Sequence, residues 1–160
     1  MWSTLIAVLG TLAGAALATL AQRATDRAAR TERHQQEVTA AVAGLLEAVL
    51  RYREYYWLMV TRVRAGDSET GEQLAERFRL RTEITIARDR LALTARGTLL
   101  VDLGEKAAWA AIDLNDIPLG SVRDGRFTPD TETALAAGRE HSRDTHTALR
   151  DAASTYLLNP

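Results

Sequence analysis

The chain has no cysteine, a single lysine (Lys106) and no proline before Pro118. The first absence excludes disulfides, thiol catalysis and thiolate metal sites, and it fits a reducing compartment. The second leaves arginine carrying nearly all of the basic charge. Alanine is abundant too, and a GC-rich coding genome accounts for both biases, so arginine richness alone does not signal phosphate binding. The third leaves the N-terminal stretch free of helix-breaking rings. A dominant sign of charge is also missing. The formal net charge is −1, so no global field draws the protein to nucleic acid, and direct nucleic-acid binding is not expected. No run alternates apolar and polar residues long enough to suggest a sheet, and there is no internal repeat. A phosphate-cradling glycine loop, a serine elbow and a metalloprotease helix motif are all lacking. An enzyme is therefore not expected, and no catalytic residue, metal ligand or cofactor is assigned.

What is present begins at the first residue. Met1 to Ala21 carries no charged side chain, and Arg23, Arg27, Arg30 and Arg33 follow at once. A cleaved signal would need a basic n-region before a shorter apolar run, and no Lys or Arg precedes this one. A buried helix of a soluble bundle would need its whole circumference covered, which a domain of this size hardly supplies. A membrane span needs roughly 20 apolar residues, and Met1–Ala21 meets that length. The four arginines would hold its inner flank in the cytoplasm, and Trp2 would sit at the outer interface. We therefore expect a single-pass anchor in the cell membrane, with the N-terminus outside and the bulk of the chain inside. Gly10 and Gly14 match the small-xxx-small pattern of close-packed membrane helices, although a segment this rich in small residues also meets it by chance.

Beyond the anchor the residues are strong helix formers. Steps of four and three link Val38, Val42, Leu45, Val49, Tyr52, Tyr56, Met59 and Val63 into one stripe. Extended backwards, the stripe passes through Gly14 and Gly10, so the anchor reads as the outer end of one long helix. Gly66-Asp67-Ser68 supplies a stop and a new N-cap. A second helix is expected from about Glu72 to Ala95, burying Leu74, Phe78, Leu80, Ile84, Ala87 and Leu91. A third runs from Leu99 to about Asp116 on Leu100, Leu103, Ala107, Ala110 and Leu114, with Trp109 and Ile112 widening its face. A turn is expected at Asp124-Gly125. The last helix begins at Thr128-Pro129-Asp130 and runs to about Leu158 on Leu135, Ala148, Leu149, Ala152 and Tyr156. Short links imply antiparallel neighbours. The expected fold is thus all-α, with a transmembrane helix at 1–21, a basic juxtamembrane helix at 22–36 and a cytoplasmic antiparallel four-helix bundle at 37–160.

Few residues offer chemistry. His141 and His146 are five apart, which separates them by about 140° around a helix and suits a solvated face better than a shared metal. Asp113-Leu114-Asn115-Asp116 reads as a helix terminus, because Pro118 intrudes where a calcium loop would need further ligands. The unusual stretch is Arg51–Val60, RYREYYWLMV. Tyr52 and Tyr56 share the core stripe, Tyr55 lies beside it, and Trp57 points well away. Either this helix is central, with neighbours on two sides, or Tyr55 and Trp57 form a contact surface for a partner. The central position is preferred, since aromatic rings mostly serve cores.

The opening 58 residues, MWSTLIAVLG through RYREYYWL, together with IARDRLAL, EKAAWAAI, DIPLG and HTALRDAA, give the chain an overall pattern. That pattern resembles the KilB-type spread proteins of Streptomyces conjugative plasmids. The resemblance implies a membrane-associated protein that helps transferred plasmid spread between hyphal compartments, with no catalytic residues to carry over. The partners it implies are the membrane, further copies of the chain and proteins of a DNA-transfer apparatus. An alternative from the residues alone is a membrane-tethered regulatory or adaptor module that binds a host protein and has no link to conjugation.

Overall fold

The computed structural model describes the backbone of residues 2–158 and the side chains of residues 22, 23 and 25–156. Four α-helices follow in order: α1 (Trp2–Arg64), α2 (Gly71–Thr94), α3 (Leu99–Ile112) and α4 (Pro129–Leu158), with a 3-10 turn at Asp113–Asp116 after α3. The chain divides into two compact units, Met1–Glu37 and Val38–Pro160. The span expected at 1–21, and Gly10 and Gly14 within it, lie outside the residues whose side chains are described. Among the described residues no helix is long and apolar enough to cross a membrane.

Within Val38–Pro160 the core follows the four-three stripe of α1. Val38, Val42, Leu45, Val49, Tyr52 and Tyr56 are all but fully buried, and Ala41, Ala48 and Val60 widen the seam. Leu80, Ile84 and Leu91 of α2, Leu100 and Ala107 of α3, and Leu149 of α4 close around it. Each large apolar side chain removed from water in this way contributes about 1.5–3 kcal/mol. α3 packs on both α2 and α4. Gly104 permits the tightest approach, because a Cβ there would lie 2.5 Å from Leu91 Cδ2 and 3.1 Å from Leu45 Cδ2.

The helix ends are closed by local chemistry. Gly66, at φ 93°, reverses the chain after α1. Its N–H donates to the Val63 carbonyl and that of Asp67 to the Arg62 carbonyl, the paired bonds that satisfy a helix C-terminus. The next cap falls at Thr70, later than the Asp67-Ser68 start suggested by residue type. There Gln73 N donates to Thr70 Oγ1 (3.2 Å) and Thr70 N to Gln73 Oε1 (3.0 Å). This reciprocal pair satisfies two orphan donors, which a lone serine cap would not do. Asp124 and Gly125 both take positive φ, and Arg123 and Arg126 pair across them in an isolated two-residue turn.

Four expected core assignments change. Leu74 and Phe78 of α2 are exposed (38% and 53%) because the buried face of α2 is set by Leu80, Ile84 and Leu91, and Trp109 of α3 is exposed too (43%). By the 3.6-residue period Phe78 lies roughly 140° from the centre of that face. Ala148 is also exposed, and Ala153 takes its expected place in the core.

Candidate functional site

The Arg51–Val60 stretch has helices on two sides. Tyr52 and Tyr56 face the core, Tyr55 turns onto α2, and Trp57 turns towards α4, the last two half-buried. Successive residues step about 100° around α1, so four rings in six positions sweep most of its circumference.

On the α2 side several polar groups are tied together, although Tyr52 Oη and Glu69 Oε1 are buried without a hydrogen bond. Tyr55 Oη donates to the Gln73 carbonyl at 2.6 Å. Arg77 donates through Nη1 to Asn115 Oδ1, and through Nη2 to Glu69 Oε2 at 2.8 Å. Arg77 and Glu69 are each only 19% exposed. The Asp113–Asp116 turn thus ends α3 and also anchors an arginine from α2. Burial pushes the Tyr52 phenol up, against the pull of Arg77 and Arg81. Burial and then Tyr52 push Tyr56 up to about 12, again against Arg77. Burial and then Glu69 raise Tyr55. Burial thus favours the protonated form of all three phenols, of which Tyr55 alone has an acceptor, while Tyr52 Oη and Tyr56 Oη are buried without a hydrogen bond. Among the described residues no group of three His, Asp or Glu is placed to hold a metal ion.

On the α4 side the helices run antiparallel, and each step back along α1 meets a step forward along α4. Arg64 Nη2 pairs with Glu132 Oε2 at 2.5 Å, and its guanidinium lies 5.4 Å from the Phe127 ring. Glu132 Oε1 accepts from Phe127 N at 3.1 Å. Trp57 meets Tyr56 edge-on at 5.3 Å and receives Arg139 over its face at 5.5 Å. Further back, Arg53 loses some of its hold on its proton, first through burial and then through the charges of Arg143 and Arg139. His146 is likewise held below the ordinary imidazole value, first by burial and then by Arg53, although the Leu46 carbonyl opposes this. Between these helices opens a cleft of about 460 Å³, lined by Trp57, Arg64, Glu132, Leu135, Arg139, Glu140 and Arg143 among others.

Of the residues singled out in sequence, Tyr55 and Trp57 come to lie on opposite seams of one helix. Arg23, Arg27, Arg30 and Arg33 are exposed along α1. Arg53, Arg77, Arg139 and Arg143 were not singled out. A sequence-visible signal existed for one pair: Arg139 and Arg143 stand one turn apart as like charges, an arrangement that weakens a helix.

An all-helical bundle with an internal arginine lock on one seam and an arginine-lined cleft on another defines a class of protein built to present side-chain surfaces. The comparisons narrow that class. A family model described as KilB plasmid transfer protein matches residues 39–157. The chain is 31% identical over 137 residues to Protein KilB of Streptomyces lividans, covering 86% of this chain and 90% of that one. The chain belongs to the KilB family of plasmid transfer proteins. No solved structure matches it.

Proposed function

We propose that this plasmid-transfer-related protein is non-enzymatic, anchored by its first 21 residues, and self-associates or scaffolds at the inner face of the membrane during plasmid spread. The observation that carries the self-association is the outward face of α2. Phe78, Ile86 and Leu93 are 53%, 63% and 66% exposed. By the helical period they fall within an arc of about 80° on the side away from the core. Such a row is costly in water and is the usual mark of a contact with another chain. The anchoring rests on the uncharged Met1–Ala21 segment and the arginines that follow it.

Alkaline extraction of membranes from expressing cells tests the anchor: intact protein should stay in the pellet, and its release would sink the reading. Orientation is read with Trp2→Cys and Thr70→Cys, in a chain with no other thiol. Labelling of Thr70→Cys from outside intact cells would overturn an inward-facing bundle. Phe78→Cys should crosslink between copies if the α2 row is the contact.

A further inference from the structure

We propose that α2 pairs lengthwise with the α2 of a second copy, in the same direction and in register, about a two-fold axis running along the two helices. The proposal rests on the self-association reading and adds to it the orientation of the pair and the residues that choose it.

The outward face of α2 repeats along its length. Positions 75, 78, 79 and 82 are exposed, and so are 86, 89, 90 and 93, each eleven residues further on. Eleven residues make close to three helical turns, so both sets fall on one side of the helix with little drift. Ala75, Thr82, Ile86 and Leu93 form the middle strip of this face, within about 40° of one another by the helical period. The strip carries no charge. Thr82 Oγ1 donates to the Phe78 carbonyl at 2.9 Å, so it brings no unmet hydroxyl donor to a dry contact. The two margins of the strip differ. Phe78 and Asp89 lie on one, Arg79 and Arg90 on the other, about 100° around the helix and only about 1.5 Å along it.

These margins choose between the two ways of laying face on face. When the helices run the same way, each level meets itself, and the Phe78/Asp89 margin of one copy lies against the Arg79/Arg90 margin of the other. Asp89 then meets Arg90 of the second copy, Phe78 meets Arg79 of the second copy, and the two-fold axis makes each contact twice. When the helices run opposite ways, like margins meet. The register that lays strip on strip, with Ala75 at the level of Leu93, then sets Arg79 against Arg90 of the second copy and the Asp89 carboxylate against the Phe78 ring. Like charges, and an anion on the negative face of a ring, both oppose that arrangement. The groups of the parallel pair are accessible. Arg90 makes no ion pair within its own chain among the described residues. Arg88 engages only Oδ1 of Asp89, whose side chain is 59% exposed. Arg79 is held at its margin by Glu76 and Glu83 and stays 59% exposed. The parallel direction also puts the Val38 ends of both bundles at one end of the pair, as two chains anchored in one membrane require.

The test uses the full chain in detergent, which has no native thiol. Leu93→Cys should form a disulfide with itself under mild oxidation, well above Ser154→Cys, an exposed control on α4. By sedimentation equilibrium, Asp89→Arg should weaken self-association about tenfold, and adding Arg90→Asp should restore it to within about twofold. Antiparallel pairing predicts the reverse, because Asp89→Arg would then place a cation on a ring. Preferential linkage of Ala75→Cys to Leu93→Cys in a mixture, or tighter association of Asp89→Arg, would overturn the parallel register and leave self-association standing. A dimer whose Leu93→Cys thiols link no faster than those of Ser154→Cys would place the contact on another face and overturn it too. A chain that sediments as a monomer at every concentration would remove the self-association reading, and this proposal with it.

Discussion

The two flanks of the Arg51–Val60 stretch differ in how many of their arginines are paired. Towards α2, a ring hydroxyl and an arginine enter the interior and each finds an acceptor: Tyr55 on the Gln73 carbonyl, Arg77 on Asn115 and Glu69. Towards α4, Arg64 pairs with Glu132, but Arg139 and Arg143 make no ion pair among the described residues and Trp57 Nε1 is buried unbonded. Satisfied polar groups in a low-dielectric interior favour one arrangement of the helices, while each unpaired buried group costs stability. The bonds of Tyr55 and Arg77 thus tie α1, α2 and the turn after α3 together, and the α4 flank is tied chiefly at its Arg64–Glu132 end.

Breaking the α2 flank should have the largest effect. Arg77→Ala removes two donors at once and leaves the Glu69 carboxylate, 19% exposed, without its cation. The expected loss is about 2–4 kcal/mol, read from urea unfolding of the full chain. A loss below about 0.5 kcal/mol, the level of an ordinary surface pair, would mean that the α2 flank is no better tied than its opposite.

A somewhat smaller effect is expected where α1, α2 and α3 meet. Gly104→Ala places a methyl 2.5 Å from Leu91 Cδ2 and 3.1 Å from Leu45 Cδ2. Overpacking of this kind costs about 1–3 kcal/mol, and the better helix propensity of alanine returns about 1. A net destabilisation of up to about 2 kcal/mol is expected. A stabilised variant would show that Leu91 swings aside freely and that the α2 flank is looser than its hydrogen bonds suggest.

The bundle itself was largely legible in the sequence. The α1 stripe from Val38 to Met59 is buried along its length, because a four-three repeat in good helix formers leaves only one way to hide it. Thr128-Pro129-Asp130 does begin α4 at Pro129, since cap, ring and acid all favour that one start. Leu74 and Phe78 were misplaced because apolar residues occur on two faces of α2, and periodicity alone does not say which face meets the core. The polar flanks were less legible still. Arg77 meets Asn115 across 38 positions, and Arg64 meets Glu132 across 68. Such pairings depend on the register between helices, which no local pattern in one chain specifies.

Next in size is a single bond on the satisfied flank. Tyr55→Phe removes the 2.6 Å bond to the Gln73 carbonyl and keeps the ring. About 1 kcal/mol should be lost, measured by urea unfolding. The comparison sharpens if Trp57→Phe, which removes an indole N–H that bonds nothing in the protein, costs less for its polar part than Tyr55→Phe. Equal hydrogen-bond losses at both positions would erase the distinction between the flanks.

The smallest effect is a pH dependence confined to the α4 flank. His146 is held below its ordinary value of 6.5 by burial and then by Arg53, with Arg150 adding to this and the Leu46 carbonyl opposing it. The unfolded chain therefore binds a proton at His146 more readily than the folded one. Stability from this group is complete above 6.5 and is lost as the pH falls below that value towards the folded pKa. The melting temperature should drop as the pH falls below 6.5, and His146→Gln should flatten that part of the curve. Arg53→Gln separates charge from burial. With the cation gone, the imidazole should titrate closer to its ordinary value while staying below it, followed by the His146 ring resonances. An imidazole that titrates at or above 6.5 in the unaltered chain would mean that the guanidiniums of this flank are already neutralised, and the two sides of the tyrosine helix would no longer differ in charge.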